Sequence, residues 1–252
     1  MEKIRKPFQG VRNIIRFNWH FYVGVFVICI ASYFLKNILP SNLQFTIPLI
    51  IISALCITCI SLIVSFYVYD LSGLYRLNWL PSSIENLKIA NINAGFDETS
   101  ELLQHKYQNS NLTILDFYDP IKHTEISIKR ARKAYPVFPN TINTTTSNLP
   151  IQTNSTDKIF ITFSAHEIRN ENERIFFFQE LHRILKPNGE IYVTEHLRDL
   201  ANFLAYNIGF LHFLEKSSWY KVFSIADLTI KKEQKLNPFI TNFTLTKYGN
   251  TA

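Results

Sequence analysis

The chain has 252 residues, a formal net charge of +6, three cysteines and 47% hydrophobic residues. Five basic residues against one acid fall in the first eighteen, so the charge belongs to an N-terminal arm and does not mark a nucleic-acid-binding domain. The cysteines all lie in apolar stretches, which excludes a disulfide framework, and Cys56-x-x-Cys59 lacks the second pair of a zinc site, so no metal centre is expected.

Residues 1–18 form the basic arm. Residues 19–69 contain one lysine and no other charge. Within them "WHFYVGVFVICIASYFL", Trp19 to Leu35, just spans a bilayer, with Lys36 placed to snorkel. "FTIPLIIISALCITCISLIVSFYVY", Phe45 to Tyr69, has 25 uncharged residues, about 37 Å of helix against a hydrocarbon core of roughly 30 Å. The connection contains a Pro-Ser-Asn turn, and the two segments are expected to form a transmembrane helical hairpin. No small-x-small cleavage site follows the first run, which argues against a signal peptide. The basic arm predicts a cytoplasmic N terminus, and two crossings return the rest of the chain to the cytoplasmic side. Four N-x-S/T sequons weigh little against this in a chain rich in Asn and Thr.

Residues 70–83, ending in Pro81-Ser82-Ser83, read as a linker, and residues 84–252 as a domain. There strands and helices alternate: "KIANI", "DETSELLQHKYQ", "LTILDF", "HTEISIKRARKAY", "DKIFITFS", "NENERIFFFQELHRIL", then "KPNG" as a turn and "EIYVTEH". Asn170 caps the third of these helices with Glu173 at the capping-box position, and Phe177, Leu181 and Ile184 form its apolar stripe. Alternation with short loops predicts an α/β fold with a mostly parallel sheet. The tail from "SIADLTI" to "TNFTLTKY" predicts a closing antiparallel hairpin, with Pro238 at an edge or strand start. The run Lys129-Arg130-Arg132-Lys133 reads as a solvated helix face, with contact to anionic lipid as the alternative.

Ligands of open α/β sheets bind beyond the carboxyl ends of the strands. That brings together the loop 93–97, Asp116 and the segment after Ser164. Asp116 follows Gly95 by 21 residues, the distance at which an acid reaches the ribose hydroxyls of a nucleoside. Asp97 and Glu98 would repel a pyrophosphate at the helix N-terminus, which disfavours a nicotinamide dinucleotide; a phosphate-free cofactor escapes that penalty.

The strand-loop-acid arrangement, "NLPIQTNSTDKIFITFSAHEI" and "ELHRILKPNGEIYVTE" resemble class I S-adenosylmethionine-dependent methyltransferases over residues 84–252. The resemblance implies a Rossmann-like methyltransferase fold and S-adenosylmethionine as cofactor. It places Asn91 where an acid usually meets the methionine ammonium, Asn93 and Gly95 at the first two glycines of the motif, and Asp97 at the third. It keeps Asp116 for the ribose, puts Thr145 near the adenine and keeps Asp157 before strand four. Asn93 is expected to replace its glycine by tolerating a left-handed backbone. His166-Glu167 is the best-placed pair for a general base, with a surface cap as the plain alternative; His196 ranks lower and His182 is expected to be structural. The apolar segment "LANFLAYNIGFLHFLEKSSWY" reads either as core or as a greasy lid near the membrane. The expected function is a membrane-anchored methyltransferase acting on a lipophilic small molecule among membrane lipids. The alternative is an inactive methyltransferase-fold scaffold at the membrane, favoured by the depleted glycine loop.

Overall fold

A computed structural model describes residues 5–82 and 86–247. The expected boundary between residues 83 and 84 lies outside the described residues. Seven strands form one sheet: β1 (Lys88–Asn93), β2 (Asn111–Asp116), β3 (Ile142–Asn143), β4 (Thr156–Thr162), β5 (Leu185–His196), β6 (Leu228–Asn237) and β7 (Ile240–Lys247). Their order is β3-β2-β1-β4-β5-β7-β6, with β7 antiparallel to both neighbours and every other pairing parallel. The sheet is thus α/β with an antiparallel hairpin at its end. β3 is two residues long and has no counterpart in the sequence reading; a strand that short shows no periodicity.

The central strands are buried on both faces, as parallel strands covered by helices must be. β1 buries five of its six residues, and Ile159, Ile161, Ile191 and Val193 of β4 and β5 are fully enclosed. On one face α6 (Glu171–Ile184) lays down Phe177, Phe178, Leu181 and Ile184, and α8 (Lys216–Ile225) adds Trp219, Val222 and Phe223. Asn170 Oδ1 caps α6 by accepting from Glu173 N–H at 3.0 Å. The return half of the capping box is not made: Glu173 Oε1 instead accepts from Thr146 and Lys122.

The "KPNG" turn is absorbed into β5. Thr156 pairs with Leu185 and Lys158 with Glu190, so four residues of β5 stand against one of β4 between those rungs, an excess of three that makes a bulge. Gly189 is required there because a Cβ would stand 3.0 Å from the Asp157 carbonyl oxygen. Asp157 accepts from Lys88 N–H at 2.9 Å and from Lys186 Nζ at 2.7 Å, tying the starts of β1, β4 and β5. Pro238 lies in the two-residue turn between β6 and β7, where its missing N–H costs no ladder bond.

Among the described residues, two helices are long and apolar enough to cross a membrane: α1 (Gln9–Leu35), and α3 (Thr46–Phe66) with the turns that continue it to Arg76. Between them lies the short α2 (Ser41–Gln44). Half of the expected arm is therefore helical, and α1 kinks at Asn18, whose side chain donates back to the Ile14 carbonyl at 3.1 Å. Before the kink, Gly10, Asn13 and Phe17 form one buried face; beyond it the apolar side chains are mostly exposed.

The expected linker is packed structure. Tyr67–Leu71 makes a π-helical turn, and Leu74, Leu77 and Leu80 are buried against the domain. Asp70 accepts from the Gly10 and Val11 N–H groups, both at 2.9 Å, and so caps α1 from sixty residues away. The start of α1 and the end of α3 consequently meet at the domain, and the loop between the helices lies at their far ends.

Candidate active site

The site is built at the carboxyl ends of β1, β2, β4 and β5. β1 ends in Asn93, and its loop reaches α4 (Ser100–Lys106). Asn91 is buried; its Nδ2 lies 2.8 Å from Ser100 Oγ, 3.0 Å from Thr99 Oγ1 and 3.3 Å from Asp97 Oδ1. It locks the start of α4. Asp97 Oδ1 accepts from the Thr99 and Ser100 N–H groups, both at 2.9 Å, so Asp97 acts as the cap and the helix begins three residues later than its sequence suggests.

Asn93 does not take a left-handed backbone. Its Oδ1 accepts from Gly95 N–H at 3.1 Å, closing the turn with a side chain where the resembled motif has a glycine. Gly95 is the left-handed residue, at φ 95°, and a Cβ there would lie 2.9 Å from both Arg132 Nη1 and Tyr118 Cδ2. Two buried polar atoms of this loop, Asn93 Nδ2 and Asp97 Oδ2, have no hydrogen-bond partner.

Asp116 is buried at the end of β2. Its Oδ1 accepts from Tyr118 N–H at 2.9 Å and its Oδ2 from Arg132 Nη1 at 2.5 Å. Arg132 belongs to α5 (Ile126–Ala134) and also lies over the Tyr118 ring, 4.3 Å from its centroid. Its neighbour Arg130 reaches the Phe17 carbonyl and His20 Nδ1, both at 2.7 Å. The basic run is therefore not wholly a solvated face: two of its members turn inward, one to the cofactor loop and one to α1. Thr145 is exposed, hydrogen-bonded to Ser147 Oγ, and lines neither cavity described below.

After β4 the chain turns sharply. Phe163 takes φ 51°, unusual for a bulky residue, and stacks on His196 with ring centroids 5.2 Å apart. The turn Ala165–Glu167 follows. His166 Nδ1 lies 2.6 Å from Glu195 Oε2, and His166 Nε2 lies 3.2 Å from Glu167 Oε1. Burial acts to lower the His166 pKa, but Glu195 and Glu167 outweigh it and raise it. Burial likewise acts to raise Glu167, and hydrogen bonds with His166 and His212 hold it well below the usual carboxylate range. His196 differs: burial pushes it down to about 3, and it is neutral. Tyr69 Oη lies 2.8 Å from its Nε2 and Asn202 Oδ1 3.0 Å from its Nδ1, so neither nitrogen is free to shuttle a proton.

Two cavities flank the β1 loop. One, of about 100 Å³, is lined by Asn93, Phe96, Glu98, Thr162, Phe163 and Glu167; the other, of about 20 Å³, by Gly95, Asp116, Arg132 and Tyr135 among others. Both are smaller than ordinary ligand clefts of roughly 300–1,000 Å³. Phe17 of α1 packs edge to face on both Phe96 and Tyr135, which meet each other at a tilt across the gap, and Arg5 joins Glu98 at 2.9 Å.

Residues 91–193 match the family described as a methyltransferase domain. A methyltransferase from Aquifex aeolicus, described as dependent on S-adenosylmethionine, superposes with a TM-score of 0.52 at 14% identity, covering 75% of this chain and 97% of that one. A family 2 O-methyltransferase from Planctomyces limnophilus, in complex with apigenin, gives 0.52 at 11% identity over 76% and 61% of the two chains. A Methanosarcina mazei S-adenosylmethionine-dependent methyltransferase gives 0.50 at 16% identity over 69% and 97%. Residues 91–193 are thus a methyltransferase domain, and the sheet around them has the fold of these solved structures. No curated protein sequence matches it.

The candidate site contains residues that its sequence motifs do not expose. Arg132, Glu195, His212, Tyr75 and Arg5 all act on it from distant parts of the chain. Only Glu195 carried a usable signal, as an acid at the carboxyl end of a parallel strand beside the His196 singled out instead. The donor set suits an amino-acid tail at one end, where unpartnered Asn93 Nδ2 and Asp97 Oδ2 offer a donor and an acceptor; at the other, Asp116 can meet a diol once Arg132 leaves its Oδ2.

Proposed function

We propose that this protein is a membrane-anchored methyltransferase that modifies a lipophilic small molecule from the cytoplasmic face. The observation that carries the reading is the apolar surface beside the site. In α7 (Leu200–Tyr206) and the 3-10 turn after it, Leu200, Leu204 and Ile208 are 71%, 62% and 82% exposed, and α7 packs against α3. Exposed aliphatic side chains at the foot of two membrane-length helices suit contact with acyl chains. The same segment delivers His212 to the edge of the site. It is better described as a greasy flank than as buried core.

In this reading Asn91, Asn93, Gly95 and Asp97 shape the loop that receives the amino-acid end of the cofactor, and Asp116 binds its ribose. S-adenosylmethionine supplies a sulfonium methyl, and rate comes largely from holding the acceptor in line with it. Glu167 faces the larger cavity and is the group that orients the acceptor's O–H or N–H and takes its hydrogen bond, while Glu195 fixes His166 behind it. Thr145 has no role. The arm Lys3, Arg5, Lys6, Arg12 and Arg16 keeps the N terminus cytoplasmic.

The test uses the full-length protein in lipid nanodiscs with methyl-labelled S-adenosylmethionine and a lipid extract. Label partitioning into the organic phase is expected. Cofactor binding in calorimetry without transfer to any lipophilic fraction would overturn the substrate class. Absence of cofactor binding would favour the scaffold.

A further inference from the structure

The turn after β4 holds a group of side chains that does more than the proposed methyl transfer asks of it, which uses Glu167 toward the acceptor and Glu195 and His166 only as its support. His166 Nε2 lies 3.2 Å from Glu167 Oε1, and His212 Nε2 approaches the same oxygen at 3.7 Å. The two imidazoles meet edge to face with centroids 4.9 Å apart, and one donor atom from each of the three residues falls within 4.8 Å of the others. A tetrahedral ion with bonds of about 2.1 Å sets its ligand atoms about 3.4 Å apart. Two of the three edges already bracket that spacing.

The remote nitrogen of each ring is held as well. Glu195 Oε2 stands 2.6 Å from His166 Nδ1, and Glu125 Oε1 2.7 Å from His212 Nδ1. A carboxylate on the far nitrogen fixes the tautomer of a metal-binding histidine and makes it more basic. Here that arrangement occurs twice around one shared oxygen. Three carboxylates against the guanidinium of Arg169 leave the group doubly negative when the imidazoles are neutral, a charge that a divalent cation cancels.

We infer that His166, Glu167 and His212 form a binding site for a divalent transition-metal ion, with Glu195 and Glu125 orienting the two imidazoles. Two imidazoles and one carboxylate select Zn²⁺ and its neighbours over Mg²⁺ or Ca²⁺, which prefer all-oxygen sites. Of the three ligands Glu167 also lines the larger cavity, so the ion would sit beside that cavity. Arg169 Nη2 contacts both His212 nitrogens, Nδ1 and, at 2.9 Å, Nε2, and must turn away as the ion enters so that Glu125 alone holds Nδ1; its side chain is 43% exposed, which leaves it room in solvent.

The site stands on geometry alone and is independent of which acceptor is methylated. Full-length protein in detergent, stripped with a chelator, is titrated with Zn²⁺ against a chromophoric chelator, and separately with Co²⁺ while visible d–d bands are followed. A single saturable ion per chain is expected. His212→Gln should weaken affinity at least about 10-fold, and Glu125→Gln by about 10–100-fold through loss of the orienting carboxylate. Arg169→Gln should tighten it, because the competing guanidinium is gone. Thermal unfolding of each variant separates loss of ligand from loss of fold, and Glu125 and Arg169 are exposed enough to be replaced without disturbing the core. No saturable binding would overturn the site. So would binding indifferent to both His212→Gln and Glu125→Gln, or a Co²⁺ spectrum with thiolate charge-transfer bands pointing to Cys56 and Cys59.

Discussion

At Asn93 a side-chain oxygen closes a turn that the family's motif closes with backbone freedom, and this changes what a substitution does. Asn93→Gly keeps the turn sterically possible but removes the bond to Gly95 N–H and the unpartnered amide beside it; S-adenosylmethionine binding is expected to weaken by about 5- to 10-fold, read by calorimetry. Arg132 acts in the opposite sense. It sits on the carboxylate that the ribose must reach, so Arg132→Ala should free Asp116 and tighten cofactor binding by about 10-fold, a gain of about 1.4 kcal/mol; weaker binding would show that Arg132 touches the cofactor. Glu190 offers a test by pH. Burial acts to raise its carboxyl, but hydrogen bonds from Tyr192, Lys231 and Lys158 bring it down to about 2. A carboxyl lowered on folding stabilises above its unfolded value of 4.5 and loses that contribution as pH falls from about 4.5 towards 2. Glu190→Gln should therefore cost about 1–3 kcal/mol at neutral pH, and the gap to the parent protein should close across that acid window in denaturant titrations.

Among the elements, α1 shows how a helix of membrane-spanning length is joined to the sheet. Gly10, Asn13 and Phe17 repeat at helical spacing and meet Tyr69, Tyr135 and Phe96; Tyr135 Oη donates to Asn13 Oδ1 at 2.7 Å. Gly10 is needed because a Cβ would stand 2.3 Å from Tyr69 Cβ. Gly10→Val is expected to unseat the start of α1 and cost about 1–3 kcal/mol, the range of overpacking, visible as faster proteolysis after Arg5. Asp70→Ala leaves two donors of the first turn unpaired and should cost about 1–2 kcal/mol in the same assay. Because Phe17 also packs on Phe96 beside the cofactor loop, both variants should alter cofactor affinity as well as stability.

For the whole molecule, one geometric fact constrains topology. Arg5 pairs with Glu98 and Asp70 caps α1, so the N-terminal arm and the domain lie at the same end of the two long helices. If those helices cross a bilayer, the arm and the domain share a side. Inside-out vesicles should expose both an N-terminal tag and a C-terminal tag to protease, and right-side-out vesicles should protect both; opposite behaviour of the two tags would exclude a hairpin crossing.

The sequence alone determined what depends on local pattern. Uncharged runs marked the two long helices, continuous apolar strands marked a parallel sheet, and Asn170 and Gly95 marked a cap and a turn, because each follows from the chemistry of a few neighbouring residues; Pro238, expected at an edge or strand start, lies in the turn itself. It missed β3, and it read "KPNG" as a turn where the sheet makes a bulge, since pairing with β4 decides that. It also left residues 70–83 as a linker, because Leu74, Leu77 and Leu80 become buried only against partners elsewhere in the chain. The site divides the same way. Asp116 and His166-Glu167 were legible as polar residues at strand ends. Arg132 on Asp116, Glu195 behind His166, and His212 with Glu125 were decided by tertiary structure, since ion pairs between residues 16 to 87 positions apart leave no spacing to read.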